Sequence, residues 1–104
     1  MDITQTIREC IEKKLNVEIN YRNSDKELYK SRIVSPHFYY ELEKGNPILI
    51  AKYVSGLTEA EEMKPVRSYK IRNIMDAQAT KFKFEVDETL RPKDKNLVTI
   101  ATVF

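Results

Sequence analysis

The sequence predicts a mainly β domain with one N-terminal helix, an α+β arrangement folded as a small, strongly bent barrel. Three observations carry this reading. A helical apolar stripe is confined to the first fifteen residues, apolar alternation of period two follows in successive short runs, and turn-forming residues separate the runs at roughly ten-residue spacing. At 104 residues the chain fits a single domain, 1–104, and its 41% apolar content supplies one core.

The helix is the first element. Ile3, Ile7, Cys10, Ile11 and Leu15 recur at spacings of four, three, one and four, which places them on one helical face. Asp2 is positioned to cap the first turn, with Gln5 three residues on as its reciprocal partner. After Asn16 the period changes to two: Val17, Ile19 and Tyr21 point one way and Glu18, Asn20 and Arg22 the other. Residues 23–26 read as a turn, 27–35 as a second strand that Pro36 ends or bends, and 37–42 as an aromatic β-prone run. Residues 43–46 form a turn with Gly45, and 48–54, the most apolar stretch, is predicted as the central strand. Residues 55–65 break the pattern and read as a loop. Alternation resumes over 66–74 and again over 81–86, where Phe82, Phe84 and Val86 are expected inward. Residues 97–104 close the chain as a β-branched strand. One helix followed by six or seven short strands suggests a barrel of the SH3-like or Sm-like kind, with 87–104 a C-terminal linker and extra strand.

Composition excludes several functions. The chain carries 18 basic and 16 acidic residues for a net charge of +2, far from a general polyanion coat. The charge is nevertheless uneven. Residues 64–83 hold Lys64, Arg67, Lys70, Arg72, Lys81 and Lys83 against Asp76 alone, a local balance of +5, whereas 41–63 has a local balance of −3. Basic residues interleaved with Tyr69, Phe82 and Phe84 suit a phosphate-facing surface with stacking partners, and they equally suit an ordinary solvated strand face. The single cysteine, Cys10, leaves no disulfide framework or multi-Cys zinc site and suits a reducing, cytoplasmic location. No apolar run is long enough to span a membrane, and the N-terminus lacks the plan of a signal peptide.

The order of short motifs is similar to that of the WYL domain. It runs from the helix and the strand ending in Tyr21 to Arg32-Ile33-Val34-Ser35-Pro36 and the Gly45 turn. The apolar Ile48-Leu49-Ile50-Ala51 follows, then Arg67-Ser68-Tyr69-Lys70-Ile71 with Ile74. That family is found in bacterial transcription regulators, phage-defence regulators and helicase accessory modules, and the resemblance spans about residues 3–86. It implies a barrel that binds nucleic acid or a nucleotide-like ligand in a basic groove, without catalysis, and passes the event to an attached domain. By position Arg32 matches the Arg of the Arg-x-Val-x-Pro segment, Arg67 the Arg before the aromatic strand, and Tyr69 that strand's usual Phe. The Trp-Tyr-Leu triplet falls on Pro47-Ile48-Leu49, so only the Leu remains, and the family's Asp-Arg-Ile falls on Arg72-Asn73-Ile74.

The expected site therefore comprises Arg32 and Arg67, whose planar guanidinium groups suit bidentate phosphate recognition, with Lys70, Arg72 and Asn73 beside them. Tyr69 and Tyr21 are the stacking candidates, and His37 a pH-sensitive ligand contact or a structural histidine. The alternative for the arginines is an ordinary strand-surface role or pairing with Glu18 or Glu27. Cys10 within the apolar stripe reads as a small buried hydrophobe. With glycines only at 45 and 56, no phosphate loop exists, and no His, Cys or acid cluster has metal-ligand spacing. The expected function is thus a non-enzymatic, cofactor-free ligand-sensing regulatory domain for single-stranded nucleic acid or a nucleotide-like ligand. The competing expectation is a protein–protein interaction or dimerisation module with a degenerate ligand site, partnered by a second copy or a separate regulator.

Overall fold

In the computed structural model the described residues are 2–23, 28–41, 47–56, 66–92 and 98–104, with the side chains of Asn23, Leu28, Tyr29, Lys30, Gly56 and Arg67 outside the description. The expected turns at 24–26 and 43–46 and the loop at 57–65 lie outside these residues. The elements run α1 (Ile3–Lys13), β1 (Leu15–Asn23), β2 (Leu28–Glu41), β3 (Pro47–Gly56), β4 (Val66–Lys70), a 3-10 turn (Ile71–Asn73), β5 (Ile74–Lys83), a second 3-10 turn (Glu88–Leu90) and β6 (Val98–Thr102).

Helix α1 begins where the Asp2 carboxylate accepts a hydrogen bond from the Thr4 N–H at 3.2 Å. The expected reciprocal partner Gln5 is exposed; Thr6 reaches back instead, its amide and hydroxyl donating to the Asp2 carbonyl at 3.0 and 3.3 Å. The buried stripe is Thr6, Ile7, Cys10 and Ile11, with Ile3 and Leu15 packed at its ends. Burial pushes the Cys10 thiol above its ordinary pKa, the first contribution being desolvation and the second the neighbouring Glu9 charge. A thiol held protonated in the core is a packing group. The helix ends at Lys14, whose φ of 56° is left-handed and whose N–H closes onto the Cys10 and Ile11 carbonyls. A side chain with a Cβ is strained there. Lys14→Gly is expected to raise stability by about 0.5 kcal/mol, the relief being partly offset by the freer unfolded glycine. A urea melt checks it; an unchanged or lower midpoint contradicts it.

The strands form one six-stranded antiparallel sheet in the order β4-β3-β2-β1-β5, with β6 added onto β2. The predicted class, mainly β with one N-terminal helix in a small bent barrel-like domain, is the one observed. Strand β2 is the centre of this sheet, correcting the assignment of that place to 48–54: β3 lies between β2 and β4. The reason is Pro36. Instead of ending a strand it sits in a bulge between Pro36 and Phe38, so the two expected runs join as one bent 14-residue strand. One half of β2 (to Val34) pairs with β1, the other (Phe38–Glu41) pairs with β6, and β3 runs along the opposite edge. That bend wraps the sheet around Ile7, Ile11, Val17, Ile19, Val34, Tyr39, Leu49 and Tyr69, all buried in one core. Tyr39 takes the inward place, while Tyr40 stacks on Phe38 on the other side, with centroids 5.6 Å apart.

The expected strand over 66–74 is divided. Its first part is β4, the 3-10 turn interrupts it and carries the chain from β3's edge to β1's, and Ile74 begins β5. Residues 74–83 form one strand paired with β1 and broken by two irregularities. Asp76 lies opposite Asn20 and Ile74 opposite Tyr21, so Met75 is extra; Ala79 lies opposite Val17 and Lys83 opposite Leu15, so Thr80, Lys81 and Phe82 face Asn16 alone. Thr80 holds the second bulge, its hydroxyl donating to the Asn16 carbonyl at 2.8 Å and accepting from the Phe82 N–H at 3.2 Å. Phe82, expected inward, is consequently 72% exposed. No helix among the described residues is long and apolar enough to cross a membrane.

Candidate nucleic-acid interface

Three of the expected site residues meet in one contact set. Arg32 on β2, Tyr21 on β1 and Tyr69 on β4 come from separate strands, and the Arg32 guanidinium carbon lies 5.5 Å from the Tyr21 ring centroid and 5.8 Å from that of Tyr69. The two rings contact each other edge to face at 5.1 Å. A guanidinium against two electron-rich ring faces gains cation–π attraction, which grows as water is excluded. Here exclusion is nearly complete: Arg32 is 1% exposed and Tyr69 is fully buried, with Tyr21 half-buried beside them.

The neighbouring cations follow from β4. Tyr69 pairs with Leu49 and Lys70 with Ile48. Beyond Lys70 the 3-10 turn carries Arg72 and Asn73 to Ile74, which is paired with Tyr21. Lys70 and Arg72 are exposed and Asn73 is half-buried. Arg67 is paired through its backbone with Ala51, two residues before Tyr69 on the same strand. Seven of the eight expected residues thus lie in or near one region: Arg32, Tyr69 and Tyr21 in mutual contact, Lys70, Arg72 and Asn73 following Tyr69 in the chain, and Arg67 two residues before it on the same strand.

His37 is elsewhere. It lies five residues along β2 from Arg32, roughly 16 Å at strand rise, and is completely buried. The Asp87 N–H donates to its Nε2 at 3.0 Å, and its Nδ1 lies 2.8 Å from the Ser35 carbonyl. A backbone N–H can only donate, so Nε2 is unprotonated and Nδ1–H is the donor to Ser35. Desolvation pushes the His37 pKa below its ordinary value, opposed in part by the Ser35 bond and the Asp87 charge. Its ring contacts Phe84 at 5.0 Å and Phe104 at 6.1 Å. Both nitrogens serve the fold: the ring fastens the segment after β5 onto β2. Asp87 is itself held ionised below the usual carboxylate range by the Thr89 hydroxyl and amide, with Lys52 at 3.4 Å adding to the effect.

Two things escaped the sequence reading. The arginine expected to face phosphate is instead sealed beneath the sheet, a placement signalled by its parity, since Arg32 shares a face of β2 with Val34 and lies opposite the inward Ile19. Phe82, flanked by exposed Lys81 and Lys83, is the most exposed large apolar side chain described, and periodicity carries no sign of the bulge that turns it out. Among the described residues no group of His, Cys, Asp and Glu is arranged to hold a metal ion. Comparison of the chain with protein-family models, with curated proteins and with solved structures finds no match.

Proposed function

We propose that the chain is a non-enzymatic, ligand-sensing regulatory domain that binds single-stranded nucleic acid or a nucleotide-like ligand, in the setting of bacterial transcription or phage-defence control in the cytoplasm. The observation that supports it is the convergence of Tyr21, Arg32 and Tyr69 from three strands, with Lys70, Arg72 and Asn73 continuing from the same strand end. In this reading Lys70 and Arg72 hold phosphates at the rim, and the exposed part of Tyr21 offers a stacking surface. Arg32 acts from beneath, fixing the two tyrosine rings and adding its charge to the field of the rim.

Short single-stranded DNA and RNA titrated over a salt series test this. The wild-type chain is expected to bind with affinity that falls as salt rises, and Lys70→Ala with Arg72→Ala to weaken low-salt binding by about tenfold or more and reduce the salt slope by roughly 1 to 2. Absence of binding at low salt, or unchanged binding in the double variant, defeats the proposal.

A further inference from the structure

Strand β5 pairs with β1 on one edge and, among the described residues, with no strand on the other. Exposed edges are normally shortened, charged or covered, because they invite pairing with another chain. This one spans ten residues and carries two large apolar side chains in the open, Met75 at 48% and Phe82 at 72% exposure. Each belongs to one of the two bulges, and between them Asp76 to Ala79 run in unbroken register with Asn20 to Val17. Beside that regular stretch lies a shallow groove of about 430 Å³ between strand and helix, lined by Thr6, Glu9, Asp76, Ala77, Gln78 and Ala79. The two alanines leave room for a close backbone approach.

The charges are ordered end to end: Asp76 near the start of the strand, Lys81 and Lys83 at its finish, all exposed. An antiparallel copy of the same strand reverses that order. We infer that the β5 edge is a homodimerisation surface, two copies pairing β5 to β5 about a two-fold axis near Gln78. In that register Asp76 of each lies opposite Thr80 of the other, one position from Lys81, and Met75 lies opposite Lys81, one position from the other's Phe82. The arrangement is self-complementary, as a two-fold contact must be, and a sulfur beside an aromatic ring adds a favourable contact. The inference does not rest on the ligand-binding reading, because Lys70 and Arg72 precede β5 and take no part in the pairing.

A single strand edge with two apolar anchors falls at the small end of specific interfaces, so the dimer should dissociate on dilution. Sedimentation of the full chain from nanomolar to high micromolar concentration is expected to show a monomer–dimer equilibrium. Asp76→Lys should weaken association at least tenfold, as should Lys81→Asp with Lys83→Asp, and combining all three should restore it. All three positions are exposed, and circular dichroism confirms that each variant stays folded. A monomer at every concentration overturns the inference and leaves the edge to another chain or ligand. A dimer indifferent to Asp76→Lys also overturns it, by placing association on another surface. Sedimentation and nucleic-acid titration of these variants and of Lys70→Ala with Arg72→Ala separate the two ideas: loss of dimer with retained binding in Asp76→Lys supports both, whereas unchanged binding in the Lys70 and Arg72 variant with a dimer still sensitive to Asp76→Lys defeats the ligand reading and upholds this interface.

Discussion

Arg32→Ala is expected to lower the stability of the domain by about 3–5 kcal/mol, seen as a lower urea midpoint with the slope retained. The side chain is sealed at 1% exposure between two tyrosine rings. Its removal leaves a cavity at the junction of β1, β2 and β4 and takes away the cation that both rings face. Against a total of roughly 5–15 kcal/mol for a domain, such a loss is severe. Arg32→Met keeps most of the volume without the charge, and should recover more than half of it, because a buried cation costs desolvation that an apolar chain avoids. An unchanged midpoint in Arg32→Ala, with reduced ligand affinity, would instead show an arginine that reaches out to phosphate. Weak binding by Arg32→Ala therefore cannot separate a lost contact from a loosened fold, which is why Lys70 and Arg72 carry the binding test.

The second large effect belongs to His37 and depends on pH. His37→Ala should cost about 2–4 kcal/mol at neutral pH, since it leaves the Asp87 amide and the Ser35 carbonyl without their partner and removes the ring packed against Phe84 and Phe104. In the folded chain burial holds the imidazole neutral below its ordinary pKa, whereas the unfolded chain takes up a proton near 6.5. Above that value the contribution is fully present. As pH falls through it and then through the depressed folded value, the unfolded state binds the extra proton and stability is lost. Protonation also opposes the Asp87 N–H with a ring N–H. Urea melts of the wild type at pH 7.5 and 5.5 should show the loss, and His37→Phe, which keeps a ring but cannot titrate, should flatten it. A pH slope surviving in His37→Phe would assign it to other groups; the Asp87 carboxyl, held below the usual range, titrates at lower pH.

The fold class was legible because the periodicities were clean. The Ile7-Cys10-Ile11 stripe and the Val17-Ile19 alternation each mark a buried face, and both occur as read. Legibility failed at bulges. Pro36 reads as ending or bending its strand, and a bulge decides for the bend by letting β2 continue past it, while the Thr80–Phe82 bulge reverses the face that alternation assigns to Phe82. Residues 75–80, Met-Asp-Ala-Gln-Ala-Thr, have little β propensity of their own and form a strand because β1 supplies the partner. The site was half legible. Motif order named residues that the fold brings near one another, but residue type makes an arginine look solvent-facing, and it is the parity of Arg32 with Val34, together with its pairing with Ile19, that places it in the core.

The order in which these elements are synthesised has a kinetic consequence. Helix α1 precedes every strand in the chain and packs most against β5, and β1 finds one of its two partners only when residues 74–83 exist. The far end of β2 waits longer still, for Val98–Thr102. A growing chain can therefore close the β1–β2 and β2–β3 hairpins, with their share of the helix packing, before the helix meets β5. The tyrosine pair around Arg32 is likewise incomplete until β4 is made. Such reliance on contacts distant in sequence slows folding compared with a helical bundle of this length. It also leaves the Ile7-Cys10-Ile11 face only partly covered until β5 is made, an interval in which a chaperone or a neighbouring chain would meet it.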